Sequence, residues 1–555
     1  MPASNATEKR VLRLDPRDNV LVALTDLPKG ELVKFSGQSY LLLSDVPAKH
    51  KFLTQNLSAG EDVIMYGVLV GKAAQNLQRG ELLATRNIRP ASASFHAKEG
   101  AARWTPPDIS PWQSKTFLGY HRPDGQVGTR NYWIVLPLVF CENRNLHVLK
   151  QAFEEELGFA PPQIYRRQVA ELARLYRQGD TQKIKTSSLK QSPQGPASPK
   201  IFPNIDGIKF LAHEAGCGGT REDARNLCAL LAGYIHHPNV AGATVLSLGC
   251  QNAQIAILLE ELKLRDPHFR KPLLIFEQQK RASADAMLSE AISETFLGLI
   301  EANQSTRKPA PLSHLTLGLE CGGSDGFSGL SANPAIGHTA DLLVALGGKG
   351  ILSEFPELCG VEQDLINRCV SEEVSNRFMN LMNDYAARAK AVGSSFEMNP
   401  SPGNIRDGLL TDAMKSAGAA KKGGTSPVTA VLDYPEYSTA PGLNLQCTPG
   451  GDVESVTAEV GAGANVVLFT TGLGTPTGNP IAPVIKISTN SSLAQRMPDI
   501  IDINAGGIIT GEQTVERMGE LILDRVIQVA SGELRTKAEL LGQDDFIPWK
   551  RGVSL

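Results

Sequence analysis

From residue 116 onward, the sequence repeats one pattern, in which a short apolar run is followed by a turn and then by a helix-like segment. The runs occupy residues 132–140, 207–213, 243–248, 272–277, 315–319, 466–470 and 484–488. Apolar runs that alternate with helices are typical of parallel strands buried on both faces. The pattern therefore predicts a main body of the α/β class, built on parallel sheets.

The chain has 555 residues and is too long to fold around a single hydrophobic core. Single cores stop growing near roughly 250–300 residues, so several domains are expected. Short alternating runs at residues 20–24, 40–43 and 62–66 predict a small β-rich domain over residues 1–92. Proline-rich residues 93–116 predict an extended connector. Two α/β domains are expected to follow, over residues 117–308 and 309–555.

One segment of the first α/β domain departs from the pattern. Residues 185–204 are rich in Ser, Pro, Gln and Lys and show no apolar period. Such a segment cannot bury enough surface to fold alone. We therefore expect a disordered surface insertion near residues 180–204, without a catalytic role.

Composition excludes several classes of function. The formal net charge of −3 leaves no basic field for nucleic acid. We find neither the roughly 20 continuous apolar residues that span a bilayer nor an apolar leader segment, so a cytoplasmic protein is expected. Eight cysteines in so long a chain do not form a secreted disulfide framework. They are expected to be buried apolar residues, metal ligands or catalytic groups.

Three of the glycine-rich turns that follow strands each contain one cysteine, namely Cys217, Cys250 and Cys321. Ligands bind at the carboxyl ends of parallel strands, where loops and helix N-termini meet. Three convergent thiolates would suit iron, zinc or an iron–sulfur cluster with an open coordination position. The alternative interpretation is that each cysteine is a small residue that fills a tight turn.

Other candidates for chemistry are a glycine loop and two cations. Residues 472–478, including Gly474 and Thr475, could offer backbone N–H groups to a carboxylate but lack the ending of a phosphate loop. Lys486 lies in an apolar run, which indicates either a buried acidic partner or an edge strand that reaches solvent. The planar guanidinium of Arg130 could bind a carboxylate through two hydrogen bonds. The alternative is that its segment is only a turn before a strand.

Glu354 and Glu357 follow the apolar pair at residues 351–352. They could be an acid, a base or ligands of a hard metal, whereas the commoner explanation is a solvated helix start. His50 stands in the small first domain, where a lone histidine is usually a surface group.

Taken together, these stretches resemble the altronate/galactarate dehydratase family. The resemblance rests on motifs in the same order along nearly the whole chain: residues 18–20, 50–51, 124–131, 216–217, 249–250, 321–325, 331–334, 399–404, 472–478 and 502–506. It implies a SAF-type first domain and removal of water from an aldonic acid to give a 2-keto-3-deoxy acid. It also implies a divalent metal, with Fe²⁺ expected and Mn²⁺ or an iron–sulfur cluster as alternatives.

The resemblance and the residue patterns together predict the site. The expected catalytic groups are His50, Lys51, Asp325, Glu354 and Lys486. The expected substrate-binding residues are Arg130, Asn131, Ser324, Asn333, Gly474 and Thr475. The expected metal ligands are Cys217, Cys250 and Cys321.

Within the family, residues 319–326 and 471–476 look most like the altronate branch, which implies conversion of D-altronate to 2-keto-3-deoxy-D-gluconate in hexuronate catabolism. Galactarate dehydratase and sulfolactate sulfo-lyase are the near alternatives. A non-catalytic sugar-acid-binding protein is an alternative from another class, against which the retained turn cysteines and Asp325 argue. A homo-oligomer is also expected. The chain departs from the family in having Asp15 where a histidine is common, and in a longer insertion between about residues 155 and 204.

Overall fold

The computed structural model of the chain describes residues 10–160, 164–187 and 199–554. We call residues 10–89 the first domain, residues 116–311 the second and residues 312–554 the third. Residues 93–115, between the first two, contain neither helix nor strand in this description. This connector is nevertheless anchored, because buried Trp112 donates a hydrogen bond of 2.9 Å from Nε1 to Asp524.

The first domain consists of short antiparallel strands. They are β1 (Val11–Leu12), β2 (Val20–Ala23), β3 (Leu32–Phe35), β4 (Gln38–Leu41), β5 (Lys51–Leu53), β6 (Asp62–Met65), β7 (Val68–Ala73) and β8 (Ile88–Arg89). Apolar side chains of this domain share one core with Phe327, Leu330 and Met414 of the third domain. Burial of this shared apolar surface holds the two domains together.

The second domain is an α/β unit with a parallel sheet. Its elements are β9 (Thr116–His121), β10 (Val127–Gly128), β11 (Tyr132–Pro137), α1 (Asn143–Leu157), α2 (Ile164–Arg177), α3 (Thr181–Thr186), β12 (Gly207–Phe210), α4 (Arg221–His236), β13 (Val240–Ser247), α5 (Ile255–Arg265), β14 (Leu273–Glu277), α6 (Ala284–Ala302) and β15 (Lys308–Pro311). The parallel order is β12-β11-β13-β14, and β9 pairs antiparallel with β10 and β15 in a separate sheet.

The third domain contains the larger parallel sheet. Its strands are β16 (Thr316–Cys321), β17 (Lys349–Leu352), β18 (Val428–Leu432), β19 (Gly442–Gln446), β20 (Val466–Thr471), β21 (Val484–Ser488) and β22 (Ile503–Asn504). They pair in the order β18-β19-β17-β16-β20-β21-β22. All of these pairings are parallel, so the carboxyl ends of the strands lie at one edge of the sheet.

Helices cover this sheet on both faces. They are α7 (Ala332–Ala345), α8 (Glu362–Arg368), α9 (Glu372–Ala391), α10 (Pro402–Arg406), α11 (Asp412–Ala419), α12 (Asp452–Gly461), α13 (Ser491–Arg496), α14 (Gly507–Thr510), α15 (Val515–Ala530) and α16 (Lys537–Leu541). Helices α4 and α12 join the second and third domains. A Cβ on Gly233 of α4 would overlap the carbonyl oxygen of Gly461, so the two backbones approach more closely than side chains permit.

The fold class predicted from the sequence is confirmed. The apolar run at residues 484–488 is β21, and the run at 466–470 is β20 extended by one residue. The run at 132–140 is shorter as a strand, because the backbone turns into a 3₁₀-helix at Phe140–Glu142. No helix in the described part of the chain is long and apolar enough to cross a bilayer.

The insertion expected near residues 180–204 lies partly outside the described residues, which omit 188–198. Within the described part, Thr181–Thr186 form α3, whose N-cap is Asp180. Phe202 is buried in the core of the second domain beside Trp133 and Phe153. Both ends of the segment therefore have defined structure.

Candidate functional site

The loops that follow three neighbouring strands of the third domain meet at one edge of its sheet. Strand β16 leads into residues 322–325, β17 into Ser353 and Glu354, and β20 into residues 472–475. The first and third of these loops are joined directly, because the amides of Gly472 and Leu473 both donate to the carbonyl of Gly323 at 3.1 Å. This edge is where an open α/β sheet binds its ligands.

Asp325 lies within this edge and is fully buried. Its Oδ1 accepts hydrogen bonds from the Phe327 amide at 3.1 Å and the Ser328 hydroxyl at 3.2 Å. Its Oδ2 accepts one from the Asn490 side chain at 3.2 Å. A Cβ on Gly472 would overlap this carboxyl group, so glycine is needed there for the loops to close. Asp325 is therefore held in one orientation.

Two lysines of the first domain, Lys49 and Lys51, lie near Asp325. The ammonium of Lys49 lies 3.1 Å from Asp325 Oδ2 and 2.7 Å from Asp407 Oδ1. Burial alone would lower the pKa of Lys49, but the two carboxylates raise it, so this lysine is charged. Lys51 is fully buried and donates to the carbonyl of Gly408 at 2.6 Å. Burial lowers the pKa of Lys51 to about 7, a value suited to proton transfer.

His50 stands between these lysines. Its Nε2 lies 3.0 Å from the carbonyl oxygen of Arg406, so Nε2 carries the proton and donates it. Its Nδ1 is buried and has no hydrogen-bond partner among the described residues. Burial lowers the pKa of His50, which keeps the ring neutral near pH 7. His50 is half-buried rather than a free surface group, because its Nε2 contacts the Arg406 carbonyl while its buried Nδ1 has no partner in the described chain.

A second cluster at the same edge consists of Cys321, Glu354, Glu357, Lys415 and Lys422, and we call it the Cys321 cluster. The Cys321 thiol donates to Glu357 at 3.4 Å and accepts from Lys422 at 3.2 Å. Lys422 also pairs with Glu354 at 2.8 Å, and Lys415 with Glu357 at 2.6 Å. Burial of the glutamates overturns the interpretation of a solvated helix start.

Two buried carboxylate oxygens, one in this cluster and one on the neighbouring Glu320, lack hydrogen-bond partners within the described chain. Glu320 Oε1 and Glu354 Oε1 have no hydrogen bond within the described chain. Burial and the charge of Glu354 raise the pKa of Glu320 well above its usual value, so Glu320 keeps a proton that it can share with Glu354. Burial also raises the pKa of Glu354, to about 7. Either a shared proton or a cation would satisfy these two oxygens.

The donor atoms fit a divalent metal ion. Ligand atoms of Cys321, Glu354 and Glu357 lie within 4.8 Å of one another, and so do those of Glu320, Glu354 and Asp452. Carboxylates suit Mn²⁺ and Mg²⁺, and an added thiolate suits Fe²⁺ or Zn²⁺. Glu354 belongs to both sets, and its Oε1 has no hydrogen bond within the described chain.

Residues 399–408 connect the two halves of this edge. Asn399 accepts a hydrogen bond of 2.7 Å from Lys415 of the Cys321 cluster. Eight residues later, the segment 406–408 supplies the oxygens that contact Lys49, His50 and Lys51. Residues 399–408, which include α10, therefore contact both the first-domain groups and the Cys321 cluster.

The structure separates the three cysteines predicted to share a metal. Cys321 follows a strand of the third-domain sheet and is buried, whereas Cys217 and Cys250 follow strands of the second-domain sheet and are exposed. Among the described residues, no set of three ligand atoms within 4.8 Å of one another contains Cys217 or Cys250. The expected common site fails because the three turns belong to two different sheets.

The prediction that Arg130 and Asn131 bind substrate is wrong. Arg130 is buried and forms a two-point ion pair with Glu539, through Nε at 2.7 Å and Nη2 at 3.0 Å. The side-chain amide of Asn131 bonds to Arg122 and to the carbonyls of Asn204 and Ala302. The polar groups of both side chains form hydrogen bonds or ion pairs within the protein.

The other residues predicted to bind substrate, Ser324, Asn333, Gly474 and Thr475, belong to the third domain. The Asn333 side chain is fully engaged, because it donates to Gly418 and accepts from Thr470. The amides of Gly474 and Thr475 both donate to Thr471 Oγ1, at 2.9 and 3.1 Å. These backbone groups therefore cannot bind a carboxylate as expected.

Ser324 differs from these residues. Its carbonyl accepts a hydrogen bond from Asn404, and it lies directly before Asp325. A role for its side chain in substrate binding stays a prediction.

Lys486 does not have the acidic partner predicted for it. It lies on β21, an interior strand, and it is fully buried, so it does not reach solvent either. Its Nζ has no hydrogen bond or ion pair within the described chain and lies 3.3 Å from the centre of the Phe469 ring. Burial lowers the pKa of Lys486 to about 7, which lets the neutral amine occupy this apolar position.

Asp15 pairs with Arg17 through both carboxylate oxygens, at 2.8 and 3.0 Å. No contact between Asp15 and His50 is found in the described structure. Its carboxylate is instead used to order the turn before β2.

Sequence reasoning missed several groups that the structure brings together, namely Lys49, Asp407, Lys415, Lys422, Asp452 and Asn490. Lys49 carried a usable signal, since it directly precedes the His50-Lys51 pair. Lys422 carried none, because a lysine before two glycines is ordinary in a surface turn.

Comparison with known proteins covers all three domains. Residues 9–91 match the altronate/galactarate dehydratase SAF domain, and residues 119–303 match the D-galactarate dehydratase/altronate hydrolase second domain. Residues 312–554 match the D-galactarate/altronate dehydratase C-terminal domain.

Curated relatives extend over nearly the whole chain. The altronate dehydratase of Bacillus subtilis (strain 168) is 32% identical over 99% of this chain and 100% of its own length. The altronate dehydratase of Escherichia coli (strain K12) is 32% identical over 98% of this chain and 99% of its own. The galactarate dehydratase (L-threo-forming) of the same strain is 30% identical over 96% and 94%. The chain therefore belongs to the D-galactarate/altronate dehydratase family of hydro-lyases.

Proposed function

We propose that the protein removes water from D-altronate to give 2-keto-3-deoxy-D-gluconate. The observation that carries this proposal is the buried Nδ1 of His50, which has no hydrogen-bond partner among the described residues and is adjacent in sequence to Lys51, whose pKa burial lowers to about 7. A dehydratase needs a base with a free lone pair and a nearby proton donor, and this group of residues supplies both.

The reaction begins with loss of the proton on the carbon next to the substrate carboxylate. His50 Nδ1 accepts this proton, because it is neutral and its other nitrogen is fixed on the carbonyl of Arg406. The electron pair of the broken C–H bond forms the new double bond as the hydroxyl on the neighbouring carbon leaves. The resulting enol then takes a proton on carbon and becomes the 2-keto acid.

The departing hydroxyl requires a proton so that it leaves as water. Lys51 is suited to supply it, because its pKa of about 7 lets it exist in both protonation states near neutral pH. The charge of Asp325 raises the pKa of Lys51 against the effect of burial. Asp325 therefore acts as a positioning residue that keeps part of the Lys51 population protonated.

A divalent ion, which we propose to be Fe²⁺, would be held by Cys321, Glu354 and Glu357. When bound, it supplies the positive charge that stabilises an enediolate and a departing hydroxide. Cys321 would hold the ion as its thiolate, and Glu354 could offer the oxygen that has no hydrogen bond within the described chain. Lys422 already neutralises part of this cluster, which lowers the charge that the ion must balance.

We propose altronate rather than galactarate as the substrate on the basis of sequence identity. The two altronate dehydratases are each 32% identical to this chain over nearly its whole length, compared with 30% for the galactarate enzyme. The (2R)-sulfolactate sulfo-lyase subunit beta of Chromohalobacter salexigens covers only 78% of this chain.

The test is an assay of 2-keto acid formation by semicarbazone absorbance, with reduced protein reconstituted with Fe²⁺. Altronate, galactarate, gluconate and sulfolactate are compared at equal concentration. We expect altronate to give the highest kcat/KM. Preference for galactarate would move the assignment to the neighbouring branch, and no product from any substrate by metal-loaded protein would contradict the dehydratase.

A further inference from the structure

The second domain brings three cysteines to one edge of its own sheet. Cys141 follows β11, Cys217 lies in the loop after β12, and Cys250 lies in the loop after β13. Strand β11 lies between the other two, and all three run parallel. All three thiols are exposed and free, whereas the other cysteines of the described chain are buried.

Backbone hydrogen bonds join the three loops. The amide of Phe140, next to Cys141, donates to the carbonyl of Ala215 at 3.1 Å. The carbonyl of Gly216, next to Cys217, accepts at 3.1 Å from the amide of Ala253 in the loop of Cys250. Gly216 has a φ of +98°, and a Cβ there would overlap the carbonyl oxygen of Leu138. The cysteines therefore project from one connected set of turns.

Side chains beneath these turns make them rigid. His213 accepts a hydrogen bond from the Ala215 amide and donates to the carbonyl of Pro137 at the end of β11. Gln251 accepts from the Gly249 amide at 2.7 Å and so closes the turn of Cys250. Preorganised turns of this kind are expected of a ligand site rather than of a passive surface loop.

One amide is directed at a cysteine. Gln279 Nε2 donates to Cys250 Sγ at 3.3 Å. This contact places a hydrogen-bond donor next to a candidate ligand sulfur. Hydrogen bonds to ligand sulfurs are also a common means of tuning iron–sulfur sites.

The spacing of the three sulfurs decides between kinds of metal site. Two thiolates on one ion are at most about 4.6 Å apart, because a metal–sulfur bond is roughly 2.3 Å long. Within the described part of the chain, these three sulfurs are not all within 4.8 Å of one another. The backbone hydrogen bonds between their three loops nevertheless keep the cysteines at one edge of the sheet. This arrangement is too wide for one ion and suits a group of several metal atoms.

We propose that Cys141, Cys217 and Cys250 hold an iron–sulfur cluster of the four-iron type. Such a cluster takes one protein ligand per iron, so three cysteines leave one iron open to water or to an oxygen of a ligand. This site lies in the second domain and shares no residue with the Cys321 cluster. It goes beyond the proposed dehydratase site and does not depend on its assignment.

The test uses full-length protein, purified without oxygen and treated with Fe²⁺ and sulfide under reducing conditions. Iron, acid-labile sulfide, visible charge-transfer absorbance and the electron paramagnetic resonance spectrum are measured without substrate. We expect about four iron and four sulfide atoms per chain above the content of untreated protein. Cys141→Ser, Cys217→Ser and Cys250→Ser should each lower both contents severalfold, with unchanged circular dichroism.

Cys369→Ser is the matched control, because this buried cysteine lies in the third domain and should leave cluster content unchanged. Iron bound without sulfide would overturn the cluster in favour of a mononuclear site. Full cluster content in Cys141→Ser would remove Cys141 from the ligand set and overturn the proposal. Since no substrate is present, failure of the dehydratase assay would not affect either result.

Discussion

Lys49 of the first domain and Asp325 of the third form an ion pair in which Nζ lies 3.1 Å from Oδ2. Asp325 is fully buried, and the loop of Lys49 is clamped against residues 406–408. The small first domain is therefore part of the site, since it delivers Lys49, His50 and Lys51 to the edge of a sheet built by another domain.

Asp325→Asn should reduce kcat/KM by at least about a hundredfold, the lower end of what a positioned acid–base group contributes. The change removes the charge that keeps Lys51 partly protonated and leaves Lys49 with only Asp407. Steady-state kinetics on altronate measures the effect. The exposed Asp364→Asn on α8 serves as control and should retain wild-type activity. Equal activity of the two variants would contradict the role of Asp325.

The pH dependence of kcat/KM should be bell-shaped. The pKa of His50 in the folded protein lies below its ordinary value of about 6.5, so activity should fall only at a pH below that value, where His50 takes up a proton. The pKa of Lys51 is about 7, so activity should also fall as the pH rises past that value and the ammonium is lost.

Lys51→Arg gives a check on the assignment of the alkaline limb. Arginine stays protonated at all accessible pH values, so this limb should move upward, provided that the thermal melt shows a folded protein. An alkaline limb that stays in place would show that another group titrates.

Arg130→Ala should destabilise the protein without affecting substrate binding. Removing one partner of a buried ion pair costs about 3–5 kcal/mol, because the other charge, here Glu539, is left uncompensated. Urea unfolding should show this loss of stability. KM for altronate should stay within about twofold of the wild-type value, because no contact with substrate is removed. A large rise in KM with unchanged stability would restore Arg130 as a carboxylate ligand.

Lys422→Met should destabilise the third domain by a similar amount, about 3–5 kcal/mol, because Glu354 loses its buried cation. Adding Glu354→Gln removes the uncompensated charge and should recover part of the loss. A double-mutant cycle by urea unfolding measures the coupling between the two residues. Additive effects of the two changes would show that the pair is not coupled.

Much of the fold could be predicted from the sequence, because buried parallel strands are continuous apolar runs. Residues 484–488 show this, since the predicted strand and β21 coincide. The SAF-type first domain followed from the resemblance. The ends of strands were less accessible, as at residues 138–140, where an apolar sequence continues after the backbone has left the sheet.

The predicted residues His50, Lys51, Asp325 and Glu354 lie at the candidate site, although His50 and Lys51 come from the first domain. Asp325 and Glu354 lie at adjacent strand ends, as expected. Cys217 and Cys250 were grouped with Cys321 because equivalent turns look alike in sequence, although they belong to different sheets. Arg130 looked free for a ligand because its partner, Glu539, lies 409 residues away.

The most direct test of the account is the activity of His50→Asn. This variant, with circular dichroism and metal content equal to those of the wild type, should form 2-keto acid from altronate at least about a hundredfold more slowly than the wild type. The exposed His96→Asn should behave as wild type. If His50→Asn retains full activity, then the unpaired nitrogen of His50 does not remove the substrate proton, and the proposed site is contradicted.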